Sequence, residues 1–175
     1  MPLGRLKKSC GFTVMELLIV TTIITSIPTG SYLHAKKKAY EVSCQNNLRQ
    51  INMFLQMFIA ENGKLPSAAF YPKDSAKQED SIAVILKRYG ATKKLFVCPA
   101  APEELKELGL TYLWNDAFNG RRPESIRNPS KQWLMIDMNS VSKDVPAPHP
   151  SGYTVLYADG HVEWTKDPPK FSPTE

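Results

Sequence analysis

The chain has 175 residues, a length that suits one domain of ordinary size with its own core. Its formal net charge at pH 7 is +5, but the segment Met1–Gly11 supplies three positive charges and no acidic residue, so the chain beyond it carries +2. The remaining charges are scattered, apart from the triplet Lys36–Lys38, which is typical of a solvated face. This balance argues against a nucleic-acid binder, and we expect no nucleic-acid partner.

An apolar run extends from Phe12 to Ile27 and ends before Pro28. As a helix it would be roughly 24 Å long, slightly short of the about 20 residues that cross a bilayer. One carboxylate, Glu16, interrupts the run, and an ionisable residue in such a segment usually has a function. The basic segment before it predicts a single-pass helix with a cytoplasmic N-terminus. Its polar content suits a helix that leaves lipid to pack against copies of itself.

A secretory signal peptide also combines a basic start with an apolar run, but it needs a small-residue cleavage site after that run. The segment Thr25–Gly30 offers only a weak site of this kind. A lipoprotein signal does not fit either, because Cys10 precedes the run. Cleavage after Gly11 is the remaining option, and it would leave the apolar helix on the mature protein.

The segment Gly11–Leu17, Gly-Phe-Thr-Val-Met-Glu-Leu, resembles the N-terminus of type IV prepilins and of type II secretion pseudopilins. The resemblance implies that a prepilin peptidase cleaves after Gly11 and N-methylates Phe12, the new N-terminus. It also implies that Glu16 is the carboxylate that acts in assembly, by meeting the N-terminal amine of a neighbouring subunit. Opposite charges attract strongly at low dielectric, so this pair would set the register between subunits.

A long helix is predicted next, because apolar residues recur at steps of three and four. Asn62 and Gly63 then form a helix stop, with Pro66 close behind. We therefore expect a helix from about Phe12 to Glu61, with its first part in membrane or filament and its second part packed on a globular head. The predicted packed face consists of Tyr40, Cys44, Leu48, Ile51, Leu55 and Phe58.

Short elements follow the long helix. A helix is predicted over Asp80–Tyr89, with Asp80 as its cap, and one or two helical turns over Glu103–Leu108. The apolar segment Leu95–Pro99 would bring Cys98 against the long helix.

Three apolar segments read as strands. They are Leu110–Trp114, Gln132–Asp137, and a hairpin that joins Tyr153–Ala158 to His161–Trp164. Asp159-Gly160 predicts a two-residue type I′ turn at the tip of the hairpin, in which both residues have positive φ. The sequence thus predicts an α+β fold with a long helix on a small antiparallel sheet, an arrangement that fits the pilin fold.

Two cysteines lie beyond the leader, Cys44 and Cys98. An exported head would place them in an oxidising compartment, which favours a disulfide between them. Two separately buried thiols are the alternative. The chain contains no Cys-x-x-Cys and no histidine–cysteine cluster at zinc spacing, so the local motifs predict no metal and no cofactor.

A second resemblance lies near the end of the chain. His149, followed after nine residues by Asp159-Gly160, resembles the H-X9-DG segment of prepilin-like proteins, especially of the Planctomycetes and Lentisphaerae. Cys44–Ile51 and Phe96–Pro99 resemble further landmarks of the same proteins.

Two other interpretations of this region are open. His149 and Asp159 could form a catalytic or metal pair, although the turn alone explains Asp-Gly. Some type II pseudopilins also hold calcium in a C-terminal loop, and calcium needs several oxygen ligands. Asp137, Asn139, Asp144 and Asp159 offer oxygen donors, but their spacing follows no calcium motif.

The sequence predicts a structural subunit of a type II secretion pseudopilus or type IV pilus-like filament, not an enzyme, because no nucleophile has a base by motif. Its partners would be prepilin peptidase, other pilin or pseudopilin subunits and inner-membrane lipid, with the head outside the cytoplasm. The alternative is a membrane-tethered binding module with an exposed face of Trp114, Trp133 and Trp164. The predicted organisation is leader 1–11, transmembrane and assembly helix 12–28, pilin-like head 29–164 and flexible tail 165–175.

Overall fold

The computed structural model describes residues 12–25, 29–142 and 145–169. The predicted cleavage residue Gly11, Pro28 at the end of the apolar run and the candidate calcium ligand Asp144 lie outside these residues. The chain divides into two units, Met1–Ala35 and Lys36–Glu175.

The first unit contains helix α1 (Val14–Thr25) and the start of helix α2 (Thr29–Asn62). Every side chain from Phe12 to Ile24 is exposed, although most are apolar. The hydroxyls of Thr21 and Thr22 donate to backbone carbonyls of the preceding turn, so the helix itself satisfies its internal polar groups. Among the described residues, no helix has both the length and the apolar character needed to cross a membrane.

Helix α1 begins with a capping box. The backbone amide of Thr13 donates to the Glu16 carboxylate at 2.9 Å, and the Glu16 amide donates to the Thr13 hydroxyl at 3.2 Å. This reciprocal pair satisfies two amides that have no partner within the helix. Glu16 therefore also has a local role in starting α1.

In the second unit, α2 buries one face, as the periodicity predicts. Cys44, Leu48, Ile51 and Leu55 are fully buried. A buried leucine or isoleucine side chain contributes about 1.5–3 kcal/mol, so this face supplies a large part of the stabilisation of the head. The helix ends at Asn62, and Gly63 follows with a φ of 68°, which confirms the predicted stop.

Among the described residues, four antiparallel strands form one sheet, in which each strand lies beside the next one along the chain. Their alignment is set by the pairs Leu113 with Ile136, Ile136 with Val155, and Leu156 with Val162. The α+β prediction with a small antiparallel sheet is thus confirmed. The strands are β1 (Tyr112–Trp114), β2 (Trp133–Asp137), β3 (Tyr153–Tyr157) and β4 (Val162–Thr165).

Alternation along β1 directs its side chains to two apolar clusters. Tyr112 and Trp114 join the large core with α2, whereas Leu113 packs with Ile136 and Val155 in a smaller cluster. A register shift between Trp133 and Met135 lets both Leu134 and Met135 join the large core.

Short helices connect these elements. The predicted helix at Asp80 is α3 (Ile82–Lys87), and Ser81, not Asp80, occupies its N-cap position. The buried Ser81 hydroxyl donates instead to the Ser75 carbonyl at 2.8 Å. Residues Lys93–Phe96 form a 3-10 helix, and α4 (Glu103–Glu107) confirms the predicted helical turn there.

The terminal hairpin is confirmed, but its predicted type I′ turn is wrong. Gly160 has a φ of 90°, whereas Asp159 does not have a positive φ. The Tyr157 amide donates to the His161 carbonyl at 3.0 Å, and the Gly160 amide donates to the Tyr157 carbonyl at 2.9 Å. These bonds define a three-residue loop, Ala158–Gly160, that closes with glycine in the left-handed region.

Candidate functional site

Four side chains that can ligate a metal meet inside the head. Cys44, Cys98, Asp137 and His149 each offer one ligand atom, and these atoms lie within 4.8 Å of one another. All four residues are at most 4% exposed. We call this group the buried cluster.

The buried cluster joins α2 to a loop. Cys44 lies on the packed face of α2, and Cys98 follows the 3-10 helix Lys93–Phe96. The Cys98 amide donates to the Thr111 hydroxyl at 2.6 Å, and the Asn47 side chain donates to the Val97 carbonyl at 3.3 Å. The loop is therefore bonded both to α2 and to the residue before β1, and Cys98 approaches the long helix as predicted.

The other two members come from the sheet side of the core. Asp137 is the last residue of β2, and its Oδ2 accepts a hydrogen bond from the Thr154 amide at 2.6 Å. His149 lies in a tight turn closed by a hydrogen bond from the Gly152 amide to the His149 carbonyl at 3.0 Å. Because β2 pairs with β3, Asp137 lies beside Thr154, five residues after His149.

The internal distances of the buried cluster are short. Cys98 Sγ lies 3.3 Å from His149 Nε2, and His149 Nε2 lies 3.9 Å from Asp137 Oδ2. Cys44 Sγ lies 3.6 Å from Asp137 Oδ1 and 3.0 Å from the Tyr112 hydroxyl. Cys98 and Asp137 therefore contact the same nitrogen of His149.

Burial and proximity perturb every titrating group here. Burial raises the pKa of Asp137 to about 7, and the neighbouring Cys98 adds to this rise. A hydrogen bond with Cys44 lowers the pKa of Cys98 to about 5, against the effect of burial and with help from His149. Burial raises the pKa of Cys44 well above its ordinary value. Cys44 and Asp137 are thus held toward their neutral forms, whereas Cys98 is held toward its thiolate.

A cysteine–histidine catalytic site does not fit this arrangement. Such a site needs the nucleophile on one ring nitrogen of the histidine and an orienting group on the other. Both contacts of His149 involve Nε2, and Nδ1 has no hydrogen-bond partner among residues 12–25, 29–142 and 145–169. Cys98 is also only 1% exposed, so its sulfur is covered by other groups of the head.

The predicted disulfide residues are neighbours in the structure. Cys44 and Cys98 are buried free thiols there, and both belong to the buried cluster. Their sulfur atoms lie within 4.8 Å of each other, and a disulfide between them stays a prediction.

The structure does not bring His149 and Asp159 into one site. His149 is in the buried cluster, whereas Asp159 lies in the hairpin loop and pairs with His161 at 2.5 Å. The described oxygen donors considered for a calcium site likewise have different partners. Asp137 faces the cysteines, and the Asn139 side chain donates to the Pro146 carbonyl at 3.0 Å.

The residues predicted for processing and assembly lie at the start of the chain. Phe12 is 80% exposed, and Glu16 is exposed at the first turn of α1. Gly11 is outside the described residues.

Sequence motifs missed two contributors to the head. Glu41 is a fully buried carboxylate beside the apolar face of α2, and Tyr112 is a fully buried phenol against Cys44. In the sequence, Asp137 is only one of several oxygen donors that the open calcium interpretation could use. Its place at the end of an apolar strand was the one available signal of a buried polar role.

No protein-family model matches the chain, and no match was found among curated proteins or solved structures.

Proposed function

We propose that this chain is a structural subunit of a type II secretion pseudopilus or a related type IV pilus-like filament. In this proposal a prepilin peptidase cleaves after Gly11 and N-methylates Phe12. The long helix and the four-stranded sheet are compatible with a pilin-like fold. The subunit would be held in the inner membrane, with its head outside the cytoplasm, before it assembles.

The observation that carries the proposal is the exposure of an apolar helix. Every described side chain of α1 up to Ile24 is exposed, and the exposed fraction is 57% for Leu18 and 63% for Ile23. A helix that is apolar on all sides is stable only when lipid or other protein covers it. Lipid before assembly and neighbouring copies of α1 afterwards would provide that cover.

Glu16 gives the same helix a polar group with two roles. Its carboxylate accepts hydrogen bonds from the amide and hydroxyl of Thr13 at 2.9 and 3.0 Å. Cleavage after Gly11 would create a cationic amine at Phe12, within one turn of this carboxylate in sequence. In a stack of subunits, the amine of one copy would pair with the carboxylate of the next, because an unpaired charge is costly in an apolar environment.

The tethered-binder alternative has less support. Trp114 is 1% exposed and Trp133 is 8% exposed, so both belong to the core. Trp164 is partly buried, and Lys38 lies 5.0 Å from the centre of its ring. The three tryptophans therefore do not form the exposed aromatic face that this function would use.

The first test is processing. The full chain would be produced with and without a prepilin peptidase, and its intact mass and N-terminal sequence would be measured after recovery from membranes. We expect an N-methylated Phe12 start only when the peptidase is present, and Gly11→Val should block it. A start near Thr29 or Gly30 would instead show an ordinary signal peptide and end the filament proposal.

The second test separates the two roles of Glu16. Glu16→Gln keeps the capping box, because glutamine serves at that position, but it removes the charge. Glu16→Ala removes both. If charge pairing drives assembly, both variants should be cleaved and should fail to form filaments. Normal filaments from Glu16→Gln would reduce Glu16 to a helix cap.

A further inference from the structure

We propose that Cys44, Cys98, Asp137 and His149 bind one zinc ion that fastens α2 to the sheet of the head. This site is independent of filament assembly. Its four ligands come from four separate parts of the chain: a helix, a loop, the end of a strand and a turn. A bound ion would therefore act as a structural crosslink in the core.

Two of the ligand distances match a tetrahedral site. Zinc–sulfur bonds of about 2.3 Å and zinc–nitrogen or zinc–oxygen bonds of about 2.0–2.1 Å place ligand atoms about 3.3–3.8 Å apart. Cys98 Sγ lies 3.3 Å from His149 Nε2, and Cys44 Sγ lies 3.6 Å from Asp137 Oδ1. The other carboxylate oxygen, Asp137 Oδ2, lies 3.9 Å from His149 Nε2. The four ligand atoms lie within 4.8 Å of one another, so zinc binding would draw them inward onto a single Asp137 oxygen.

Both Cys98 and Asp137 face Nε2 of His149. Cys98 Sγ lies at hydrogen-bond distance, 3.3 Å, whereas Asp137 Oδ2 lies 3.9 Å away, too far for a hydrogen bond. A metal ion bound to Nε2 would therefore have the sulfur and the carboxylate beside it as further ligands.

Charge supplies the third argument. As metal ligands, two thiolates and one carboxylate would carry three negative charges among residues that are at most 4% exposed, so all three can be deprotonated together only beside a cation. Neither a lysine nor an arginine contributes a salt bridge to the buried cluster among the described residues. A divalent cation is the natural counter-charge, and thiolate with imidazole ligands favours zinc over magnesium or calcium.

Groups around the buried cluster are placed to support the ligands. The Tyr112 hydroxyl lies 3.0 Å from Cys44 Sγ, where it can donate to a thiolate. The Thr154 amide donates to Asp137 Oδ2 at 2.6 Å, which leaves Oδ1 directed at Cys44. Such hydrogen bonds orient ligands and are typical of built metal sites.

A disulfide explains only half of the buried cluster. Bonding Cys44 to Cys98 would leave Asp137 and His149 as a separate buried pair whose charged atoms lie 3.9 Å apart. Zinc uses all four groups. It would also block disulfide formation, because both thiolates would be ligands.

The experiment measures metal and thiols on the full chain. The protein would be purified in detergent without chelator or reductant, exposed to one equivalent of zinc sulfate, desalted, and analysed by native mass spectrometry. We expect one zinc per chain and two free cysteines beyond the leader after denaturation with chelator. A folded chain that takes up no zinc, or whose mass shows a Cys44–Cys98 disulfide, overturns the proposal.

Variants test the ligands. Cys98→Ser and His149→Gln should each lower zinc occupancy at limiting metal by at least about tenfold. His161→Gln is the matched control, since His161 also faces an aspartate but lies in the exposed hairpin loop. It should keep full occupancy. Zinc that persists in His149→Gln and disappears in His161→Gln would place the ion elsewhere and refute the assignment.

Cobalt substitution covers the case in which a ligand variant does not fold. Wild-type protein loaded with cobalt chloride should show the intense visible absorption of tetrahedral cobalt and a sulfur-to-metal charge-transfer band. Octahedral cobalt without the charge-transfer band would rule out ligation by the two cysteines.

Discussion

The carboxylate of Glu41 accepts a hydrogen bond from the backbone amide of Ser151, 110 residues later in the chain. The N–O distance is 3.1 Å, and the other carboxylate oxygen accepts from Lys38 Nζ at 2.5 Å. Glu41 is fully buried, whereas the side chain of Lys38 is 55% exposed. The bond joins α2 to the turn that carries His149, so Glu41 positions one member of the buried cluster from outside it.

Glu41→Ala should destabilise the head by about 2–3 kcal/mol, because it leaves the Ser151 amide without its charged acceptor. Glu41→Gln keeps an acceptor for that amide and should cost roughly half as much. Urea unfolding followed by circular dichroism measures both. Equal stability of Glu41→Ala and wild type would show that the turn does not depend on this bond.

Acid should weaken the interaction of the Glu41 carboxylate with Lys38 and Ser151. Burial acts to raise the pKa of Glu41, but the hydrogen bonds and charge of Lys38 and the amide of Ser151 outweigh it, and the net pKa is below the ordinary 4.5. A lowered folded-state pKa gives stability that is present above 4.5 and lost as pH falls through the folded value. Below pH 4.5, wild type should therefore lose more stability than Glu41→Gln.

Local periodicity was sufficient to predict most of the secondary structure. The packed face of α2 and the stop at Gly63 depend on neighbours three or four residues apart, which the sequence shows directly. The predicted type I′ turn is wrong because only Gly160, and not Asp159, has a positive φ. The strands are joined at Tyr157 and His161, so the loop contains Ala158 in addition to Asp159 and Gly160.

The buried cluster could not be predicted from spacing. Cys44 and Asp137 are 93 residues apart, and Cys98 and His149 are 51 residues apart. Zinc motifs that sequence reveals keep ligand pairs within a few residues of each other. Here the strand order of the sheet and the loop that carries Cys98 set the geometry, and neither leaves a short motif.

Gly152 should be among the most sensitive glycines of the head. Its φ is 115°, and an added Cβ would lie 2.1 Å from the backbone carbonyl oxygen of Thr165. Gly152→Ala should therefore destabilise the head by about 3 kcal/mol or more, since both strain and a backbone clash oppose it.

Gly63→Ala is the matched control for Gly152. Gly63 also has a positive φ, of 68°, but no described atom lies within 4 Å of an added Cβ. It should cost only about 1–2 kcal/mol. Thermal unfolding of both variants separates strain from clash, and similar losses would show that the Thr165 contact is easily relieved.

Asn119 should contribute more than its partial exposure suggests. Its Oδ1 accepts from the Ala68 amide at 3.1 Å and from Trp114 Nε1 at 2.8 Å, while its Nδ2 donates to the Ala68 carbonyl at 2.8 Å. The side chain thus pairs with Ala68 as a neighbouring strand would. Asn119→Ala should cost about 2–4 kcal/mol, because these polar groups lose their partner.

Asn62→Ala is the control for that loss. Asn62 is exposed at the end of α2, and its Nδ2 donates to the Phe58 carbonyl at 2.9 Å. We expect a cost of about 0.5 kcal/mol or less. Denaturant midpoints compare the two, and a loss from Asn119→Ala no larger than that from Asn62→Ala would show that water replaces the Asn119 hydrogen bonds.

Tyr157 should make the head sensitive to alkaline pH. Burial raises the pKa of Tyr157 to about 12, and the neighbouring Glu163 adds to the rise. The unfolded chain loses this proton near the ordinary value of 10.0, so the folded state binds more protons between pH 10 and 12, and stability falls there as pH rises.

Tyr157→Phe keeps the ring, which stacks on His161 at 4.3 Å, and removes the titration. Its stability should therefore fall less over this range than that of wild type. Ultraviolet titration of the folded proteins gives the pKa directly, and a Tyr157 phenolate that forms near pH 10 would contradict the burial argument.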